Sequence, residues 1–393
     1  MSRMVTTVWE EDVLALEREG LKRGLRRVSG AQGRKVILDG KEVLNFCSNN
    51  YLGLADDPRL RKAAIERIEQ EGVGSGASRL VCGNMAAHRE LEDAIARFKG
   101  AESCLVFSTG YMANAGIISS VFGRGDMIFC DRLNHASIID GIILSRAQFK
   151  RYPHNDMEAL EGMLRCAAGF RRRGIITDSV FSMDGDIAPL DRIVELARAY
   201  DCLVMIDEAH ALGVLGKNGR GAAEHFGVEE KIDIRMGTLS KAAGSFGAYC
   251  CGSKELVDFL VNKARSFIYT TAMPPAIAAA SEKAVEIIRD DSSLRGRLWA
   301  NTRYFKKALD ETGFNTGSSQ TPIIPIVVGK PAPALEFSRR LEGEGIFVGA
   351  IRPPTVPANT ARLRLTVMAT HTREDLDYTL EKLKVVGRSL NIV

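Results

Sequence analysis

Only 8 of the 393 residues are cysteine, and no two of them form a C-x-x-C pair; Cys250 and Cys251 simply adjoin. A disulfide framework and a zinc site are therefore poor readings, and reduced thiols are expected. No apolar run approaches the roughly 20 residues of a membrane span. Glu10, Glu11 and Asp12 stand where a signal peptide needs an apolar core, so a cytoplasmic location is expected. Internal repeats and low-complexity stretches are missing. Charge of one sign is scarce as well. Lys and Arg number 53 against 49 Asp and Glu, a net +4 that does not suggest a nucleic-acid binder. The G-x-x-x-x-G-K-[ST] phosphate loop is absent too, since Gly216-Lys217 is followed by Asn218. That absence disfavours a nucleic-acid motor, the other reading of the string D-E-A-H at 207–210.

What is present is an ordinary globular composition, 45% hydrophobic and 26% charged. The chain is longer than one core usually organises. Apolar runs at 103–108, 127–131, 174–178, 203–206, 232–237 and 248–252 alternate with helical patterns, which predicts an α/β architecture with a mainly parallel sheet covered on both faces. We expect three parts: an N-terminal helix and hairpin segment at 1–57, a large α/β domain at 58–290, and a small C-terminal α+β domain at 291–393. Helical spacing of Val13, Leu14, Leu16, Leu21 and Leu25 predicts an amphipathic helix over 9–27, and Asp39-Gly40 predicts a hairpin turn.

The chemistry gathers between residues 203 and 247. Two apolar runs end on Asp207 and His210 and on Lys241, the latter within the small-residue run S-K-A-A-G-S-F-G. In an open parallel sheet that carboxyl edge is where ligands bind. A lysine able to form an imine, with a carboxylate able to keep a ring nitrogen protonated, suits the aldehyde cofactor pyridoxal 5'-phosphate (PLP). Ser108-Thr109-Gly110-Tyr111 opens a helix whose free amides can cradle a phosphate. His135 and Ser182 each follow a strand, the first able to lie on a flat ring and the second to donate to a phenolate. Arg362 and Arg364 share a strand face that spacing alone reads as exposed, although an inward arginine can grip a carboxylate bidentately. The run 72–77 superficially fits a dinucleotide fingerprint but precedes no clear strand–turn–helix unit.

Taken together, N-F-C-S-N-N-Y-L-G-L at Asn45, G-S-G-A-S-R-L at Gly74, D-R-L-N-H-A-S at Asp131, V-F-S-M-D-G-D at Val180 and T-L-S-K-A at Thr238 stand in an order that resembles the α-oxoamine synthases, fold type I PLP enzymes. The resemblance runs from Asn45 to His371. It implies that Lys241 carries PLP, that Asp207 pairs with the pyridine nitrogen, and that His135 stacks on the ring. His210 and Ser182 are implied near the phenolic oxygen, and Gly110, Tyr111 and Thr238 around the phosphate. Thr270 or Thr271 is implied from the partner subunit of a homodimer, and Arg364 as the holder of the substrate carboxylate. Within the family, 351–357 (I-R-P-P-T-V-P) is similar to the branch that joins L-alanine to a pimeloyl thioester, on coenzyme A or on a carrier protein, in biotin synthesis. There Thr355 and Arg26, or the neighbouring Arg27, match substrate-binding positions. The alternative is a glycine C-acetyltransferase, because the 45–54 motif is close to theirs. Ala211-Leu212 departs from the small polar pair that many relatives carry after the histidine.

Overall fold

The computed structural model describes residues 2–19 and 21–393. Strands β1 (Val28–Ser29), β2 (Lys35–Leu38) and β3 (Lys41–Asn45) form a small antiparallel unit. Asp39 and Gly40 join β2 to β3 with φ of 47° and 88°, the left-handed pair that a two-residue hairpin needs. The central strands are β4 (Ser103–Phe107), β5 (Met127–Asp131), β6 (Gln148–Tyr152), β7 (Arg173–Asp178), β8 (Leu203–Asp207), β9 (Ile234–Thr238) and β10 (Ala248–Gly252). They form one sheet in the order β4-β10-β9-β8-β7-β5-β6, in which only β10 runs against its neighbours. Strands β5 and β8 are buried along almost their whole length, as expected of strands covered on both faces. Two separate hydrophobic clusters, one around Phe129 and Ile206 and the other around Ile128 and Met205, pack the two faces.

The last strands are β11 (Ile323–Gly329), β12 (Ile346–Phe347), β13 (Gly349–Ile351) and β14 (Ala361–Thr366). Strands β11, β14 and β13 make a three-stranded antiparallel sheet, and β12 pairs in parallel with β3. The N-terminal hairpin is thereby stitched to the C-terminal region, and Leu44 and Phe46 share a core with Phe305, Ile326, Phe337 and Leu365.

Three expectations change. The first helix, α1, spans Ser2–Arg18 rather than 9–27. Glycines at 20 and 24 weaken any continuation, so Lys22, Arg23, Arg26 and Arg27 lie beyond it. Strand β6 was not anticipated, because its sequence QFKRY carries no apolar run and four of its five residues are exposed at the sheet edge. The face of β14 expected to be exposed is buried along its whole length, with Arg362 at 5% and Arg364 at 7% exposure.

Candidate active site

The carboxyl ends of the central strands deliver the functional groups to one place. Strand β8 ends on Asp207, β9 on Thr238 and β7 on Asp178, while β5 ends on Asp131, four residues before His135. After β4 the chain turns through Ser108 and Thr109 into the helix Gly110–Val121, where the Thr109 hydroxyl caps the first turn by accepting from Met112 N–H at 3.1 Å. A cavity of about 190 Å³ opens there, with Gly110, Tyr111, His135, Ser182, Asp207, His210, Thr238 and Lys241 in its wall. A larger cleft of about 680 Å³, lined by Glu229, Asp233 and Arg235, opens where β8 and β9 begin and holds none of these residues.

The wall is strongly differentiated. Asp207 is buried, and its carboxylate accepts from Ala209 N–H and from the Asn114 side-chain amide, each at 2.8 Å. Burial lowers the Lys241 pKa, opposed by the nearby Asp207 and Asp178 carboxylates. Among the described residues Lys241 Nζ has no hydrogen bond or ion pair, so the amine faces the cavity uncommitted. Burial, followed by the positive charges of Lys241 and Arg364, holds His210 well below the usual imidazole range. Burial pushes Asp178 well above the carboxylate range, and the Asp207 charge adds to the effect. Asp178 accepts from the backbone N–H of His135 at 2.6 Å and so sets the start of the loop that presents the imidazole.

Ser182 lies on a tight turn closed by Gly185 N–H donating to Phe181 O at 2.8 Å. Gly185 has φ 72°, and a Cβ there would lie 2.1 Å from Ile323 O, so the turn requires glycine. The Ser182 carbonyl accepts from Arg364 Nε, while the other guanidinium nitrogens donate to Thr366 Oγ1 and Asn49 Oδ1, both at 3.0 Å. Arg364 is thus buried, pinned by neutral oxygens alone, and adjacent to the cavity without an acidic partner of its own.

Other residues singled out from the sequence stand elsewhere. Arg26 is exposed and engaged by two carboxylates, Asp39 at 2.5 Å and Glu342 at 2.8 Å. Thr355 accepts from Arg23 at 3.3 Å, outside the cavity. Thr270 lines a separate recess with Arg79 and His88, and Thr271 lines neither space. The Thr238 hydroxyl donates to Gly247 O at 2.8 Å and so accepts from the Ser240 hydroxyl at 2.7 Å; both residues line the cavity. Asn114, Asp178, Asn49 and Tyr51, whose phenol bonds His210, complete the site; Asn49 and Tyr51 fall within the 45–54 motif, while Asn114 and Asp178 lie in no motif singled out from the sequence.

The cavity fits PLP. An unpaired amine faces a buried, amide-braced carboxylate across a small space. At one end of that space the first amides of a helix are free, and a Cβ on Gly110 would already crowd Met236 at 3.3 Å.

The chain is similar to known proteins over nearly its whole length. The sequence model of the family described as aminotransferase class I and II matches residues 41–383. The 8-amino-7-oxononanoate synthase of Geobacter sulfurreducens is 54% identical over 380 residues, which are 96% of this chain and 97% of that protein. A serine palmitoyltransferase solved with PLP superimposes with a TM-score of 0.93 at 31% identity, covering 98% of both chains. The 8-amino-7-oxononanoate synthase of Francisella tularensis superimposes with a TM-score of 0.78 at 30% identity, covering 88% of this chain and 98% of that one. The chain belongs to the aminotransferase class I and II family, with the fold type I architecture of the PLP-dependent α-oxoamine synthases.

Proposed function

We propose that the protein is a PLP-dependent acyltransferase that condenses L-alanine with a pimeloyl thioester. The products are 8-amino-7-oxononanoate, carbon dioxide and the free thiol, a step of biotin synthesis. The observation that carries this reading is the uncommitted Lys241 amine in the same small cavity as buried Asp207, in a chain similar over nearly its whole length to 8-amino-7-oxononanoate synthases.

PLP, when bound, supplies the electron sink for charge left on the amino acid's α-carbon. The chain's own groups do the rest. Lys241 Nζ holds the cofactor and, once released, takes the α-proton; its depressed pKa keeps more of the amine neutral at a given pH. Asp207 keeps the pyridine nitrogen protonated, since Asn114 and Ala209 brace its carboxylate as an acceptor. His135 would cover the ring, and His210 and Ser182 would stand near the phenolic oxygen. The amides of Gly110 and Tyr111 take the phosphate, with Thr238 beside them in the cavity wall. Arg364 grips the substrate carboxylate with a guanidinium already desolvated and held in orientation. We further propose a homodimer in which Thr270 or Thr271 of one chain serves the other's phosphate, and in which Thr355 and Arg26 face the acyl donor.

Release of coenzyme A tests the reading. Alanine with pimeloyl-CoA is expected to outpace glycine with acetyl-CoA, and the reverse order would point to a glycine C-acetyltransferase.

A further inference from the structure

His154 is one of six histidines, and no step above uses it. It follows the edge strand β6 and is largely buried, with its side chain 21% exposed. Its two ring nitrogens face two different carboxylates, Nδ1 at 3.0 Å from Asp131 Oδ1 and Nε2 at 2.7 Å from Asp186 Oδ2. A neutral imidazole carries one N–H and can donate to only one of them. Carboxylate oxygens accepting at both ring nitrogens therefore call for the doubly protonated ring, and these same bonds raise the imidazole to about 10 against the opposing effect of burial.

Each carboxylate belongs to a turn that carries part of the active site. Asp131 is fully buried, accepts from Leu133 N–H and Asn155 N–H at 2.8 Å each, and anchors the turn that ends on His135. Asp186 is 4% exposed, and its backbone carbonyl accepts from Phe181 N–H at 3.0 Å, closing the turn that carries Ser182. The titratable groups facing the ring are Asp131 from β5 and Asp186 from the 181–186 turn. The Phe181 ring meets the imidazole edge-on at 4.3 Å, and Asn155 donates to Asp186 at 3.0 Å.

We propose that His154, as an imidazolium, is a positioning residue that clamps the His135 turn to the Ser182 turn through Asp131 and Asp186. Without the cation, two buried carboxylates confront each other across the gap, and the turns that set both walls of the cavity are driven apart. The inference rests on the roles proposed above for His135 and Ser182.

The test compares wild-type holoenzyme with His154→Gln and with the double variant His154→Gln/Asp186→Asn. Each is titrated with PLP by absorbance and assayed for coenzyme A release. The single variant is expected to bind PLP about tenfold more weakly and to lose about 10- to 100-fold in kcat, the scale at which small misplacements act. The double variant, relieved of one carboxylate, is expected to recover most of both losses, which a general packing defect would not do. A single variant that binds PLP and turns over like wild type overturns the clamp, and so does a double variant no better than the single. If His154→Gln does not fold, ¹⁵N-histidine spectra of wild-type holoenzyme decide instead. An imidazolium persisting to about pH 9 is expected, and six rings all neutral by that pH would refute the proposal. The PLP titration and the spectra are independent of the acyl donor. A wild type inert towards every thioester therefore sinks the functional reading and leaves the clamp to be judged by itself.

Discussion

The phenol oxygen of Tyr51 lies 2.6 Å from Nδ1 of His210, and both side chains are buried. Burial pushes the phenol up to about 12, so it keeps its proton through the neutral range. The imidazole, held well below its usual range, is neutral there. The phenol proton has no other acceptor among the described residues, so Tyr51 donates to Nδ1, which leaves the one imidazole proton on Nε2, available to an oxygen in the cavity. Tyr51→Phe removes that control at a cost of about 1 kcal/mol, the worth of one such bond. PLP affinity measured by absorbance titration is expected to fall several-fold. An unchanged affinity and an unchanged spectrum would show that the tautomer is set by something else.

Glu208, the second residue of D-E-A-H, points away from the chemistry. It is fully buried, accepts from Lys99 Nζ at 2.5 Å and from Ala223 N–H at 3.0 Å, and ties two helices to the sheet. Lys99 is itself 1% exposed, and its amine also donates to Arg220 O. Lys99→Ala strands a buried carboxylate and is expected to cost about 3–5 kcal/mol. The denaturation midpoint measures it. A loss within the range of ordinary surface substitutions would mean that water replaces the amine.

His371 sets an acid limit on stability. Its Nε2–H donates to Asn45 O at 3.2 Å, and its Nδ1 accepts from Met368 N–H at 3.1 Å. The neutral ring is thus fully satisfied while stacked on Phe46 at 4.3 Å. Burial lowers it to about 4 from an ordinary 6.5. The unfolded chain binds the proton first, so this contribution is intact above about pH 6.5 and is lost as pH falls towards 4. The span corresponds to about 3 kcal/mol. Unfolding free energy measured between those pH values is expected to drop by that order in wild type and by less in His371→Gln. Equal slopes would assign the acid sensitivity to other groups.

Much of this was legible in the sequence because buried parallel strands announce themselves as apolar runs, and their carboxyl ends are where Asp207, Thr238 and the approach to Lys241 fall. The edge strand β6 was not, since an exposed strand needs no apolar run. Nor was the inward turn of Arg362 and Arg364 legible from spacing, although the family resemblance implied Arg364 at the substrate carboxylate. Alternation on β14 does not say which face is covered, and the Ser182 turn and Asn49 that receive Arg364 come from far along the chain. Tyr51, Asn114 and His154 lie 159, 93 and 23 or more residues from the partners that give them meaning. No local pattern encodes such pairings. Thr270 and Thr271 wait on a second copy of the chain for the role proposed for them.

The central claim is the covalent attachment of PLP to Lys241, and reductive trapping tests it most directly. Holoenzyme treated with borohydride and digested is predicted to carry a pyridoxyl group on the peptide containing Lys241, and Lys241→Ala to carry none while losing about 10⁴-fold in turnover. Label on another lysine, or a Lys241→Ala protein that turns over near the wild-type rate, would contradict the account.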